Sequence, residues 1–353
     1  MTATMSPADA PAVLRDAGLP GGDAARKPST WGLRVGVAAA VLGVLVLAVV
    51  SLFVGVTAIS PSDVLTGRAT DAQLLAFTSS RVPRTIALVL AGSSMAIAGL
   101  LMQLLVRNRF VEPSTVGTTE AAGLGILVIT ILVPGSPLIV KMLVATLFAL
   151  GGTYLFLRVL RSVPLRSVVV VPLVGLILSG IIAAVSTYLA WETNLLPTLN
   201  SWLTGDFSGV VAGRYELLWI VAVCGVIAYL AANKFTIAGL GKEMATTLGL
   251  DHAKVMAVGL SLVAITSAVT VVVVGSLPFL GLVVPNLVSL AMGDYLRRSL
   301  PWVAIGGAAL VLVCDIIGRV VIHPGEIPIG AVVGTLGAGV FLALLLRRSP
   351  GER

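Results

Sequence analysis

"TIALVLAGSSMAIAGLLMQLLV", residues 85–106, contains 22 residues and no charged side chain. At 1.5 Å of rise per residue, about 20 helical residues cross a hydrocarbon core of ~30 Å, so this stretch can span a bilayer as one helix. Charge bounds it on both sides, with Arg81 and Arg84 before it and Arg107 and Arg109 after it. The pattern recurs outward: residues 35–56 are another 22 without charge, and residues 327–346 are 20. Charged types make up 11% of the 353 residues and hydrophobic types 57%, where a soluble domain carries about 25% charged. The mean hydropathy is +1.05. The fold class is an all-α polytopic membrane protein.

Dividing the chain at charge clusters and at Pro/Gly breaks gives ten spans, at 34–56, 82–106, 113–133, 137–157, 168–190, 215–232, 253–273, 277–293, 300–319 and 328–346. The seventh and eighth are cut from one uncharged run, at "GSLPFLG" (275–281), where glycine and proline break a helix. Lys141 lies near one end of the fourth and is read as snorkelling. Residues 1–30 have mixed charge and little to bury, and are expected as a disordered tail. Residues 31–348 form the ten-helix domain and 349–353 a short C-terminal tail. Cys224 and Cys314, both in apolar runs, read as packing residues, with no disulfide framework or metal spacing.

Ten spans put both termini on one side. Seventeen of the 23 Lys and Arg residues then share that side, and six (Arg68, Arg81, Arg84, Lys141, Arg214 and Arg319) lie on the other. The positive-inside rule makes the richer side, and both termini, cytoplasmic in a bacterial plasma membrane. A net charge of +7 thus reflects anchoring at a lipid bilayer, and a nucleic-acid partner is not implied.

"GLGKEMATTLGLDH" (239–252) is a polar island on the cytoplasmic side. It is no phosphate-binding loop. The first glycine of that motif would fall at Thr236, and Glu243 occupies the position of the metal-binding hydroxyl. Lys242 to Leu248 can form two helical turns with Met244 and Leu248 on one face, Gly249 as terminator and Asp251 capping the next span. A partner-docking element and an ordinary interfacial turn both fit this pattern.

Five stretches in order resemble the binding-protein-dependent permeases that import ferric siderophores, haem and cobalamin. They are "RVPRTIALVLAGSSMAIAGLLMQLLVRNRFVEPSTVG" (81–117), "GLGKEMATTLGL" (239–250), "VVGSLPFLGLVVPN" (273–286), "DIIGR" (315–319) and "PGEIPIGAVVGTLGAGVFLALLLRR" (324–348). Asn108-Arg109 and Pro285-Asn286 replace the Asn-Pro and Pro-His of many members, and the chain is most similar to the branch serving catecholate-type ferric siderophores.

The resemblance implies a type II ABC importer permease fold. It also implies a second permease subunit, with a heterodimer favoured, an ATPase dimer that holds the ATP and magnesium, and an extracytoplasmic substrate-binding protein. This chain would bind no cofactor and would not be an enzyme. The segment Gly241, Lys242, Glu243, Met244, Ala245, Leu248 and Gly249 becomes the ATPase coupling segment. Arg81, Arg84 and Arg319, read as exposed outer cations, become the docking residues for the binding protein.

Glu120, an ionisable group inside the third span, is a candidate functional residue. It could equally be structural, bonded to Thr118 or Thr119. Glu112 is expected at the positive end of its own helix, which Pro113 starts. Haem or cobalamin import is the near alternative. An ion-coupled transporter using Glu120 as proton carrier and a membrane-embedded enzyme are the remoter ones.

Overall fold

The computed structural model describes residues 30–55, 62, 66–68, 70–163, 170–293, 295–322 and 325–346. The expected tails, apart from Thr30, and His323 lie outside the described residues. Contacts divide the chain into two units, Met1–Ala39 and Ala40–Arg353. The described part of the first, residues 30–39, is helical. The second contains every contact discussed below.

The described elements are helices. α1 covers Thr30–Phe53. α2 (Asp71–Ala76), a π-helical turn (Phe77–Arg81) and α3 (Val82–Val106) run on without a break. Thr70 starts this run with a capping box: its hydroxyl accepts from the Gln73 N–H, and the Gln73 side chain accepts from the Thr70 N–H at 2.9 Å. The second helix therefore begins eleven residues before the expected position. Arg81 and Arg84 are buried and hydrogen-bonded, so their charge does not end the helix there.

α4 is Thr118–Leu132, α5 Leu138–Ser162, α6 Val170–Glu192 and α7 the short Leu196–Leu203. A 3₁₀ turn at Tyr215–Leu218 leads into α8, Trp219–Leu230. After it come α9 (Ala232–Gly239), α10 (Lys242–Thr247), α11 (His252–Val274), α12 (Leu280–Met292), α13 (Leu296–Val321) and α14 (Ile329–Leu346).

Six of these helical runs are long and apolar enough to cross a membrane, and the bent pair Tyr215–Leu230 and Ala232–Gly239 makes a seventh. Thr118–Leu132, Leu280–Met292 and Ile329–Leu344 are apolar but shorter. The pair bends by 67° at Ala231, where the sequence indicated a straight span ending. The break between α11 and α12 falls where the sequence placed it, at residues 275–279.

α3 is the central helix, packed against α8, α11, α12 and α13. Its best membrane-length window is 67% buried, against 6% for α1. Small residues allow the closest approaches. A Cβ on Gly92 would stand 2.7 Å from the Gly307 carbonyl oxygen, and one on Gly99 would overlap the backbone of Gly281. Large apolar side chains such as Leu42, Leu147 and Leu173 remain exposed on the outside of the bundle, as a helix in lipid allows.

Candidate functional site

α3 is 25 residues, about 37 Å, long. A distinct arrangement stands at each of its ends. At the N-terminal end lies a buried ion network. Arg84 donates from Nε (3.0 Å) and Nη2 (2.8 Å) to Oδ1 of Asp315, which is fully buried, and from Nη1 to Oε2 of Glu326 at 2.7 Å. Arg319, one turn beyond Asp315 on α13, pairs with Oδ2 of the same carboxylate. Ser51 Oγ also donates to that oxygen, at 3.0 Å.

The cations also satisfy the last carbonyls of α1, which have no partner within their own helix. Arg319 Nη1 donates to Ser51 O (3.0 Å) and Val54 O (2.6 Å), and Arg81 Nη1 to Leu52 O (2.9 Å). Positive charge at the negative end of a helix dipole adds to this.

The expected picture of three exposed cations is therefore corrected. Arg81, Arg84 and Arg319 are 8%, 8% and 6% exposed. An unpaired arginine in an apolar bundle would be costly, and these are stable there because carboxylates and helix-end carbonyls accept from them. Asp315, Glu326 and Ser51 were missed as partners. Asp315 carried a usable signal, a lone acid in an apolar span.

Midway along the bundle, Glu112 corrects a second expectation. Its Oε1 accepts from the Phe279 N–H at 2.8 Å and from Ser114 Oγ at 2.6 Å. It caps α12 from across the fold, and on its own side it bonds the Ser114 hydroxyl. Phe279 takes φ +62° at that start, a left-handed conformation that a non-glycine residue adopts only when its surroundings impose it.

Glu120 lies in the first turn of α4, where its buried Oε2 makes no hydrogen bond. The expected bond to Thr118 is absent, because Thr118 Oγ1 pairs with Thr153 Oγ1 at 2.8 Å, and Thr119 Oγ1 makes no hydrogen bond.

At the C-terminal end of α3 stands the island. α9 turns off α8 and is fixed by buried Phe235 and by Gly239 against Leu104. Gly241, at φ +112°, precedes α10 and lies beside Arg107. Ala245 is fully buried and anchors α10, whereas Met244 is 54% and Leu248 57% exposed. The helix closes as a Schellman motif: Leu250 N–H donates to Ala245 O and Gly249 N–H to Thr246 O, both at 2.9 Å, with Gly249 at φ +77°. Asp251 then caps α11, accepting from the Lys254 N–H at 3.2 Å and pairing with Lys254 Nζ at 3.0 Å. These bonds hold its carboxyl below the usual range.

The sequence pattern of the FecCD transport family matches residues 43–347. The chain belongs to this family. It is 45% identical over 304 residues to the petrobactin import system permease protein YclN of Bacillus subtilis, covering 86% of this chain and 96% of that one. It is 41% identical over 307 residues to the ferric-anguibactin transport system permease protein FatD of Vibrio anguillarum, covering 87% and 97%. Among solved structures, an inward-facing metal-chelate type ABC transporter shares the fold, with a TM-score of 0.73 at 24% identity over 89% of this chain and 99% of that one. A FecCD chain is the multi-pass permease subunit of a bacterial ABC importer; it is not an enzyme, binds no cofactor and leaves ATP hydrolysis to a separate chain. Membership decides against the ion-coupled and enzymatic alternatives.

Proposed function

We propose that this protein is the membrane subunit through which an ATP-driven importer moves a ferric siderophore, delivered by a substrate-binding protein, into the cytoplasm. The observation that carries the reading is 41–45% identity, over nearly the whole length of each relative, to permeases of petrobactin and ferric-anguibactin import. The test is reconstitution in vesicles with the partner ATPase, a second permease chain and the binding protein. ATP-dependent uptake of a ferric catecholate siderophore is expected. Uptake of haem or cobalamin in its place, or uptake without ATPase, would overturn the proposal.

Ten spans with both termini in the cytoplasm are part of this reading. Support comes from the six long helices, the bent pair and the three shorter apolar helices, each of which overlaps one of the ten stretches. The short helices and the bend suit a bundle whose interior must rearrange, since non-helical backbone at membrane depth is tolerated where protein surrounds it. The second subunit is a similar but different permease.

Residues 241–249 are the coupling segment. Exposed Met244 and Leu248 on a helix held by buried Ala245 form an apolar face for a groove on the ATPase. ATP drives transport only if the ATPase grips this face differently in its two states.

Docking of the binding protein at Arg81, Arg84 and Arg319 takes a narrower form than free cations would give. Arg84 and Arg319 share Asp315, Arg84 also pairs with Glu326, and the Glu326 side chain, 28% exposed, is the most accessible acid paired with them among the described residues. Glu326→Gln adds one positive charge without disturbing the pairs to Asp315. It should tighten docking and increase its salt sensitivity; unchanged docking would reject the role. Glu120 is proposed as a polar group for the pathway. Glu120→Gln should lower uptake while leaving complex assembly intact, and full uptake would make its role structural.

A further inference from the structure

A cavity of about 270 Å³ opens between α4, α5, α7 and α11, lined by Lys141, Ser201, Trp202, Asp206, Arg214 and an apolar wall that includes Ile126. It lies at the end of the bundle that carries the arginine network, since the Ala212 N–H just before it donates to Ser79 O of the π turn at 3.0 Å. Trp202 is half-buried and packs against the cluster that contains Ala122, Ile126, Ala145, Ala264 and Ala268. The Lys141 ammonium does not simply snorkel; it stands 5.6 Å from the centre of that ring.

The cations lining the cavity, Lys141 and Arg214, outnumber its one acid, Asp206. Neither Lys141 nor Arg214 pairs with a carboxylate among the described residues. Asp206 is committed to its own turn, accepting from Ser208 N–H and Ser208 Oγ, both at 2.8 Å. Two cations without a carboxylate partner draw an anionic group, and the aromatic face, the Ser201 hydroxyl and the apolar wall accommodate a flat ring. Pockets that enclose drug-sized ligands run to ~300–1,000 Å³, so this one holds a single ring-bearing arm and not a whole chelate.

We propose that Lys141, Trp202 and Arg214 form a recognition site for one anionic aromatic arm of the incoming ferric chelate. This rests on the import reading above and adds the residues that select for catecholate chemistry.

Two experiments test it. Equilibrium binding of radio-iron tris-catecholate to the permease–ATPase complex in lipid nanodiscs, without binding protein, should weaken about tenfold or more in Lys141→Ala/Arg214→Ala. Trp202→Ala should weaken it about fivefold, and Trp202→Phe should keep near wild-type binding. Neither cation is fully buried, so the fold survives their loss. Unchanged binding in the double variant, or equal binding of a neutral ferric trihydroxamate, would overturn the site. ATP-driven uptake by the complete importer separates the two claims. Wild-type uptake of ferric catecholate that falls in the double variant supports both, and wild-type uptake that the double variant leaves unchanged overturns the site alone. Absence of uptake of any ferric chelate overturns the import reading, and nanodisc binding still decides the cavity.

Discussion

The two ends of α3 treat charge in opposite ways. At its N-terminal end, three arginines sit where basic residues are scarce, and all three are buried, neutralised by Asp315 and Glu326 or bonded to the last carbonyls of α1. At its C-terminal end, Lys242, Glu243 and Lys254 are exposed, Met244 and Leu248 are exposed beside them, and local bonds with the buried Ala245 set the shape of α10. The first end is closed by the chain itself. The second is a preformed element whose apolar face the chain leaves uncovered, which is the property a partner-driven lever requires.

The sharpest way to break this contrast is to remove its buried anion. Asp315→Ala leaves Arg84 and Arg319 without their shared carboxylate and should destabilise the protein by about 3–5 kcal/mol, the range for breaking a buried pair by removing one partner. It would register as a large fall in the thermal unfolding midpoint of the detergent-solubilised chain, and an unchanged midpoint would mean the cluster is solvated. Glu112→Ala comes next, at about 1–3 kcal/mol, because it orphans the Phe279 N–H just before α12. The same melting experiment reads it, with Glu112→Gln falling in between. At the open end the effects shrink. Gly249→Ala must place a Cβ at φ +77° and should cost about 1 kcal/mol. Met244→Asp should change stability by no more than about 0.5 kcal/mol, as an exposed side chain with no structural role would.

Much of the fold was legible because bilayer length and charge segregation are strong, local signals. Charge-free runs located α1, α3 and α14, and Gly275 with Pro278 located the break before α12. The early start of the second helix was not legible, since nothing local shows that Arg81 and Arg84 are paired. Their interactions span distances the chain pattern does not encode: Asp315 lies 231 residues from Arg84 and Glu326 lies 242. The same holds for Glu112, whose capping target, the Phe279 N–H, is 167 residues away, while Pro113 beside it suggested a local role. The island was legible almost residue by residue, because capping and termination are short-range: Gly249 and Asp251 act within a few residues of themselves.

The central claim, that α10 transmits the work of a separate ATPase, has a direct test. Both native cysteines are buried, so Met244→Cys places one exposed thiol among the described residues on the lever. In the assembled importer, a short bifunctional reagent should join that thiol to the ATPase and stop ATP-dependent uptake, with uptake restored on cleaving the link. A Met244→Cys thiol that stays freely reactive in the assembled complex, with transport undisturbed by its modification, would contradict the account.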